Sequence, residues 1–184
     1  MTAALQRRMT AEEFLKWADT QAEGRFELVD GQIVALAPEQ IAHTRTKAAV
    51  WRALSIALEK SGLPCEAFTD GPAVVTGPHK TREPDASVQC GGVDDPTSLA
   101  LDRPLIVVEV ISPTSEQDDR RTKFAEYFSV ATIRHYLIVD GDQRTVLHHR
   151  RSEDGSIETK TLHDGWIDLD PPGFKVAVED LFGH

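Results

Sequence analysis

Cysteine is scarce in this 184-residue chain: Cys65 and Cys90 stand alone, with no close Cys or His partner at zinc-finger spacing. That spacing argues against a structural zinc site, and the pair reads as two thiols of a reducing compartment rather than as a disulfide. No apolar run approaches membrane-spanning length, and Met1 to Arg8 lacks the apolar core of a signal peptide, so the expectation is a cytoplasmic protein with no membrane partner. Internal repeats, low-complexity tracts and any helix-turn-helix or zinc module that would read bases are also missing. Positive charge is in deficit. Lys and Arg number 20 against 30 Asp and Glu, and the net charge of −10 counts against nonspecific binding to nucleic acid. Short basic groups such as His43/Arg45/Lys47, Lys80/Arg82 and Arg120/Arg121/Lys123 leave a local contact track open; each reads equally well as a solvated face.

What is present is ordinary globular material, 40% hydrophobic and 27% charged, in a length that suits one domain over residues 1–184. Thr10 followed by Glu13 is a capping-box pattern that opens a short helix ending near Asp19. Arg25 to Val29, Asp30-Gly31 and Gln32 to Ala37 read as a hairpin with a two-residue turn. Val50, Ala53, Leu54, Ala57 and Leu58 mark one stripe of a long helix from about Ile41 to Lys60, and the same stripe carries Lys47 and His43 toward the sheet end. Strands follow at Cys65 to Thr69, Ala73 to Thr76 and Ala86 to Gln89, and then a polar connection from Gly91 to Arg103. Leu105 to Ile111 reads as a strand covered on both faces, with a helix from about Glu116 to Val130 and another strand at His135 to Asp140. That strand-helix-strand length suits a right-handed crossover between parallel strands, whereas the hairpins are antiparallel. The expected class is α/β, a mixed central β-sheet flanked by helices.

Three acids occupy strand positions where a purely structural strand seldom carries them: Glu27, Asp85 and Glu109. Glu109 interrupts the run Leu105-Ile106-Val107-Val108-Glu109-Val110-Ile111, and a buried carboxylate requires a metal, a cation or a proton as partner. Neighbouring strands of one sheet can bring such residues together, and hard carboxylate oxygens suit Mg²⁺ or Mn²⁺. A divalent ion held in this way, with positions left for water and a phosphate oxygen, is a layout for phosphodiester cleavage.

The ordered set Phe26-Glu27-Leu28-Val29-Asp30-Gly31, His43, Glu83-Pro84-Asp85-Ala86-Ser87-Val88 and Val108-Glu109-Val110-Ile111-Ser112-Pro113-Thr114-Ser115 continues through Asp119, Lys123 and Tyr127 to His135-Tyr136-Leu137-Ile138-Val139-Asp140. From about Thr10 to Asp170 it resembles the Uma family of restriction-endonuclease-like proteins, within the PD-(D/E)XK nuclease superfamily. The resemblance implies a single restriction-endonuclease-like domain and a Mg²⁺-dependent endonuclease acting on DNA, with Mn²⁺ able to substitute. It assigns Asp85, Glu109 and Glu27 as metal-binding acids and Lys123 as the catalytic lysine. The superfamily's usual lysine position is Ile111 here, and the lysine looks relocated to the following helix. His43 and Lys47 are candidate substrate contacts. A double-strand cutter of this size is expected to act as a homodimer.

Bland readings of the same residues remain open. Lys123 lies four residues after Asp119, the spacing of an exposed helix ion pair. His43 suits helix capping as well as phosphate contact, Asp85 suits a local turn bond after Pro84, and Glu27 suits an exposed hairpin position paired with Gln32 or Arg25. Two other functions also fit: a nuclease fold used for binding or assembly with little catalysis, and a hydrolase of small phosphorylated compounds.

Overall fold

A computed structural model describes residues 8–111 and 117–183, with only the backbone of 117–119. The Ser112 to Ser115 segment and the Asp119 side chain, both used in the sequence reading, lie outside the described residues. Helix α1 (Ala11–Ala18) begins where expected: the Thr10 side chain accepts from the Glu13 N–H at 3.2 Å, and Glu13 accepts from the Thr10 N–H at 3.0 Å. Its apolar side buries Phe14 against Leu28 of β1 (Phe26–Val29). The hairpin from β1 to β2 (Gln32–Ala35) turns through Asp30 and Gly31, at φ 49° and 81°, both in the left-handed region that this two-residue turn requires.

The central sheet has the order β10-β9-β8-β7-β6-β3, from β3 (Cys65–Thr69), β6 (Ala86–Cys90), β7 (Pro104–Ile111), β8 (His135–Asp140), β9 (Thr145–Arg151) and β10 (Ile157–Leu162). Only β7 and β8 run parallel among these described pairs, joined by α3 (Gln117–Ser129). Helix α2 (Ile41–Ser61) covers one face, packing Val50, Leu54 and Leu58 with Ile106, Val108 and Val110 and with the small hairpin β11 (Trp166–Leu169) and β12 (Phe174–Ala177). Helix α3 covers the other face, where Tyr127 packs with Val107, Tyr136 and Ile138. Covering on both sides accounts for the unbroken branched run of β7, since neither alternation face meets water.

Three expectations are corrected. Glu27 does not lie on the central sheet: β1 belongs to a second, four-stranded antiparallel sheet of order β2-β1-β5-β4, with β4 (Val74–Gly77) and β5 (Lys80–Arg82). Strand β5 read as a basic cluster because three residues with charged ends carry no apolar alternation; both cations point into acidic partners. Cys65 and Cys90 are not free thiols but a disulfide. Their 25-residue separation hides that antiparallel β3 and β6 place them opposite one another.

Candidate active site

The β6–β7 pairing ends with Ala86 opposite Val108, so Asp85, just before β6, and Glu109, the next residue of β7, lie at the same end of the paired strands. Both acids are buried, and their carboxylates leave the sheet in different directions. Glu109 turns toward α3, where Oε2 lies 2.9 Å from Lys123 Nζ and Oε1 accepts the Tyr127 hydroxyl at 2.5 Å. Asp85 turns toward α2, its Oδ2 accepting from the Val110 N–H at 2.7 Å and its Oδ1 lying 3.0 Å from Lys47 Nζ. His43 Nε2 donates to the Val110 carbonyl at 2.7 Å and stands 3.9 Å from Asp85. The structure therefore brings Asp85, Glu109, Lys123, His43 and Lys47 to one end of β7. The lysine on α3 reaches the second acid from the following helix.

Glu27 is placed differently. Its Oε2 lies 2.7 Å from Arg82 Nη1 and its Oε1 accepts from the Glu83 N–H at 3.1 Å, so both oxygens are engaged by β5 and the residue after it. Lys47 is more deeply embedded than a substrate-contact role requires. Besides Asp85, its ammonium meets Glu39 at 2.7 Å and Asp70 at 2.6 Å, and Arg25 bridges Glu39, Asp70 and Glu83. The sequence assigns no role to Glu39, Asp70, Glu126 or the hydroxyl of Tyr127, and offers Arg25 only as a hairpin partner of Glu27 and Arg82 only within a short basic group. Only Tyr127 carried a signal, since four residues after Lys123 places it on the same helix face.

Residues 11–179 match the Uma2 family model, described as "putative restriction endonuclease". The chain belongs to the Uma2 family. Two uncharacterized proteins of Synechocystis sp. are related at 28% identity, covering 95% of this chain and 92% of the relative, and at 26% identity, covering 84% and 87%. A crystal structure of a nuclease described as "putative", belonging to DUF820 from Anabaena variabilis, superposes with a TM-score of 0.72 at 19% identity, over 95% of this chain and 97% of that one. At that identity the likeness establishes the restriction-endonuclease-like fold.

The electrostatics of the Uma2 site differ from one side of β7 to the other. Burial pushes the Glu109 carboxyl up to about 7; Lys123 and Tyr127 work against that rise and the Asp85 charge adds to it. Burial and the neighbouring Glu109 charge push the Tyr127 hydroxyl up, which keeps it a donor. On the α2 side burial alone would lower Lys47, but Asp70, Asp85 and Glu39 outweigh it and hold the ammonium raised. Burial would likewise raise Glu39, yet Lys47 and Arg25 bring it down to about 2.

Among the described residues no group of three or more His, Cys, Asp or Glu side chains is arranged to hold a metal. Asp85 and Glu109 nevertheless fit Mg²⁺ in kind. This ion commonly takes one or two carboxylates and completes its shell with water and phosphate, and each carboxylate oxygen retains a second lone pair beyond the bonds given above. Beside them, a cleft of about 220 Å³ is lined by His43, Arg45, Thr46, Val110, Ile111 and Gly141, at the carboxyl ends of the parallel strands.

Proposed function

We propose that this Uma2-family protein is a Mg²⁺-dependent endonuclease that hydrolyses phosphodiester bonds in DNA, with Mn²⁺ able to substitute. The observation that carries the reading is the gathering of Asp85 and Glu109 at one end of β7, Asp85 on the Val110 N–H and Glu109 with the Lys123 ammonium at 2.9 Å. Asp85 and Glu109 would hold the ion. When bound, it supplies Lewis-acid polarisation of the phosphoryl group and acidifies water. Lys123 reaches the place where charge gathers on the scissile phosphate and stabilises it there, or orients the attacking water. The Tyr127 hydroxyl fixes the orientation of Glu109, and the Val110 N–H does the same for Asp85. His43 and Arg45 line the adjoining cleft and meet the flanking phosphates there, while Lys47 holds Asp85 from behind. Cutting both strands takes two copies of a site that cuts one, so the working form in this reading is a homodimer.

Replacing Glu109 with Ala abolishes plasmid nicking in Mn²⁺ while circular dichroism stays that of the wild type; equal nicking by the variant removes Glu109 from the mechanism. A second reading, a nuclease fold used for binding or assembly, draws on the satisfaction of these acids by protein: Lys47, Lys123, Tyr127 and the Val110 N–H already occupy them. Thermal stability separates the two. A metal-binding site gains stability with Mg²⁺ or Mn²⁺ and loses that gain on Asp85→Asn, whereas a site already closed by its own ammonium groups gains nothing.

A further inference from the structure

We propose that Glu27 is a positioning residue rather than a metal ligand: through Arg82 and Glu126 it docks α3 so that Lys123 and Tyr127 meet Glu109. The proposal rests on the nuclease reading for its catalytic consequence, but its structural content stands on a separate set of contacts. Arg82 is 4% exposed and lies between two carboxylates, with Nη1 2.7 Å from Glu27 Oε2 and Nε 2.5 Å from Glu126 Oε2. Lys80 Nζ holds the remaining Glu126 oxygen at 2.9 Å and reaches Asp30 at 3.1 Å. The chain of contacts runs from β1 through β5 to α3, and every carboxylate oxygen in it has a partner.

Charge balance points the same way. The two buried acids, Glu27 and Glu126, are matched by Arg82 and Lys80, and the third acid of the cluster, Asp30, sits exposed at its rim; both Glu27 oxygens are already engaged, and pulling Glu27 away would leave a buried guanidinium half-paired. The helix geometry supplies the link to chemistry. Glu126 is three residues after Lys123 and directly precedes Tyr127, so fixing its carboxylate sets both the rotation and the height of α3 over β7. The single Ser129 hydroxyl proton lies between the Glu126 carbonyl of its own helix at 2.6 Å and the Thr76 carbonyl of β4 at 2.8 Å, which brings the end of α3 against β4. The small antiparallel sheet thus acts as a bracket for the helix that carries the lysine.

The test compares full-length Glu27→Gln, Arg82→Lys and Glu126→Gln with the wild type in Mn²⁺ affinity by calorimetry, DNA-cleavage kcat and KM, and hydrogen exchange of the α3 amides. A control variant, Phe174→Leu on the far β11–β12 hairpin, matches a general loss of melting temperature. Positioning requires kcat to fall about tenfold or more in all three variants, with KM and Mn²⁺ affinity within about threefold of wild type, and α3 exchange to accelerate while the control changes neither kcat nor α3 exchange. A loss of Mn²⁺ affinity of about tenfold in Glu27→Gln with α3 protection intact overturns the proposal and makes Glu27 a ligand. Unchanged α3 exchange in the three variants overturns it as well. If the wild-type protein cleaves no DNA in Mn²⁺, the nuclease reading fails by itself, and α3 exchange still decides whether Glu27 docks the helix.

Discussion

The two sides of β7 hold the same ingredients, carboxylate and ammonium, in different proportions. On the α3 side one acid, Glu109, meets one ammonium and one hydroxyl, and burial prevails, leaving its carboxyl up at about 7. On the α2 side one ammonium, Lys47, meets three carboxylates, and pairing prevails, with Glu39 held down to about 2. The two acids differ in burial as well as in partners: Glu109 is buried with one ammonium in reach, whereas Glu39 is partly exposed and held by both Lys47 and Arg25. The α3 side is therefore the one poised to exchange partners, and the α2 side is the one built to stay assembled.

The strongest way to break that comparison is to empty the α2 cage. Lys47→Met takes the ammonium from Asp85, which keeps the Val110 N–H and the nearby His43 ring, while Glu39 and Asp70 retain Arg25; urea unfolding should register a loss of about 3 kcal/mol, the lower end of the range for breaking a buried ion pair. A loss under about 1 kcal/mol, the range of exposed pairs, would show the cage to be open to water. Tyr127→Phe probes the other side more gently. It removes one charge-assisted hydrogen bond from Glu109, with an expected loss of about 1.5–3 kcal/mol by the same measurement.

The smallest effects are in pH dependence, where the two sides should differ in sign. Glu109 has a folded value above its ordinary 4.5, so the folded state holds the proton more tightly and stability falls as pH rises from about 4.5 to about 7. Glu39 is depressed, so its contribution is complete above about 4.5 and is lost as pH falls toward about 2. The buried His135, His148 and His149 on β8 and β9 add a background. Burial lowers them to about 4, 3 and 4, so they destabilise the fold as pH drops below about 6.5. Unfolding free energies of Glu109→Gln and Glu39→Gln, each subtracted from wild type across pH 3 to 8, cancel that background to a first approximation; slopes of the same sign would refute the contrast.

Local chemistry made much of the fold legible in the sequence. The capping box of Thr10 and Glu13, the Asp30-Gly31 turn, the stripe of α2 and the crossover from β7 to β8 all advertise themselves within a few residues. The disulfide and the separate sheet that carries Glu27 did not, because each depends on pairing between segments distant in sequence, and the three-residue β5 did not because its charged ends carry no apolar alternation. The same holds within the site. The contact of Lys123 with Glu109 joins a helix to a strand that precedes it, while Glu39 and Asp70 reach Lys47 from a loop before α2 and from just past the end of β3. Ordinary acidic residues in polar loops carry no periodic signature that could have marked them.

Val110 contributes to the candidate site with its main chain alone: its amide belongs to Asp85 and its carbonyl to His43. Side-chain replacement at this position leaves that donor and acceptor in place, and its effect passes instead through the core, where Val110 packs beneath α2, the helix that carries His43. Proline goes further, for it deletes the amide donor outright. One residue thus ties the strand end to its neighbours twice over, by its main chain at the candidate site and by its side chain within the core.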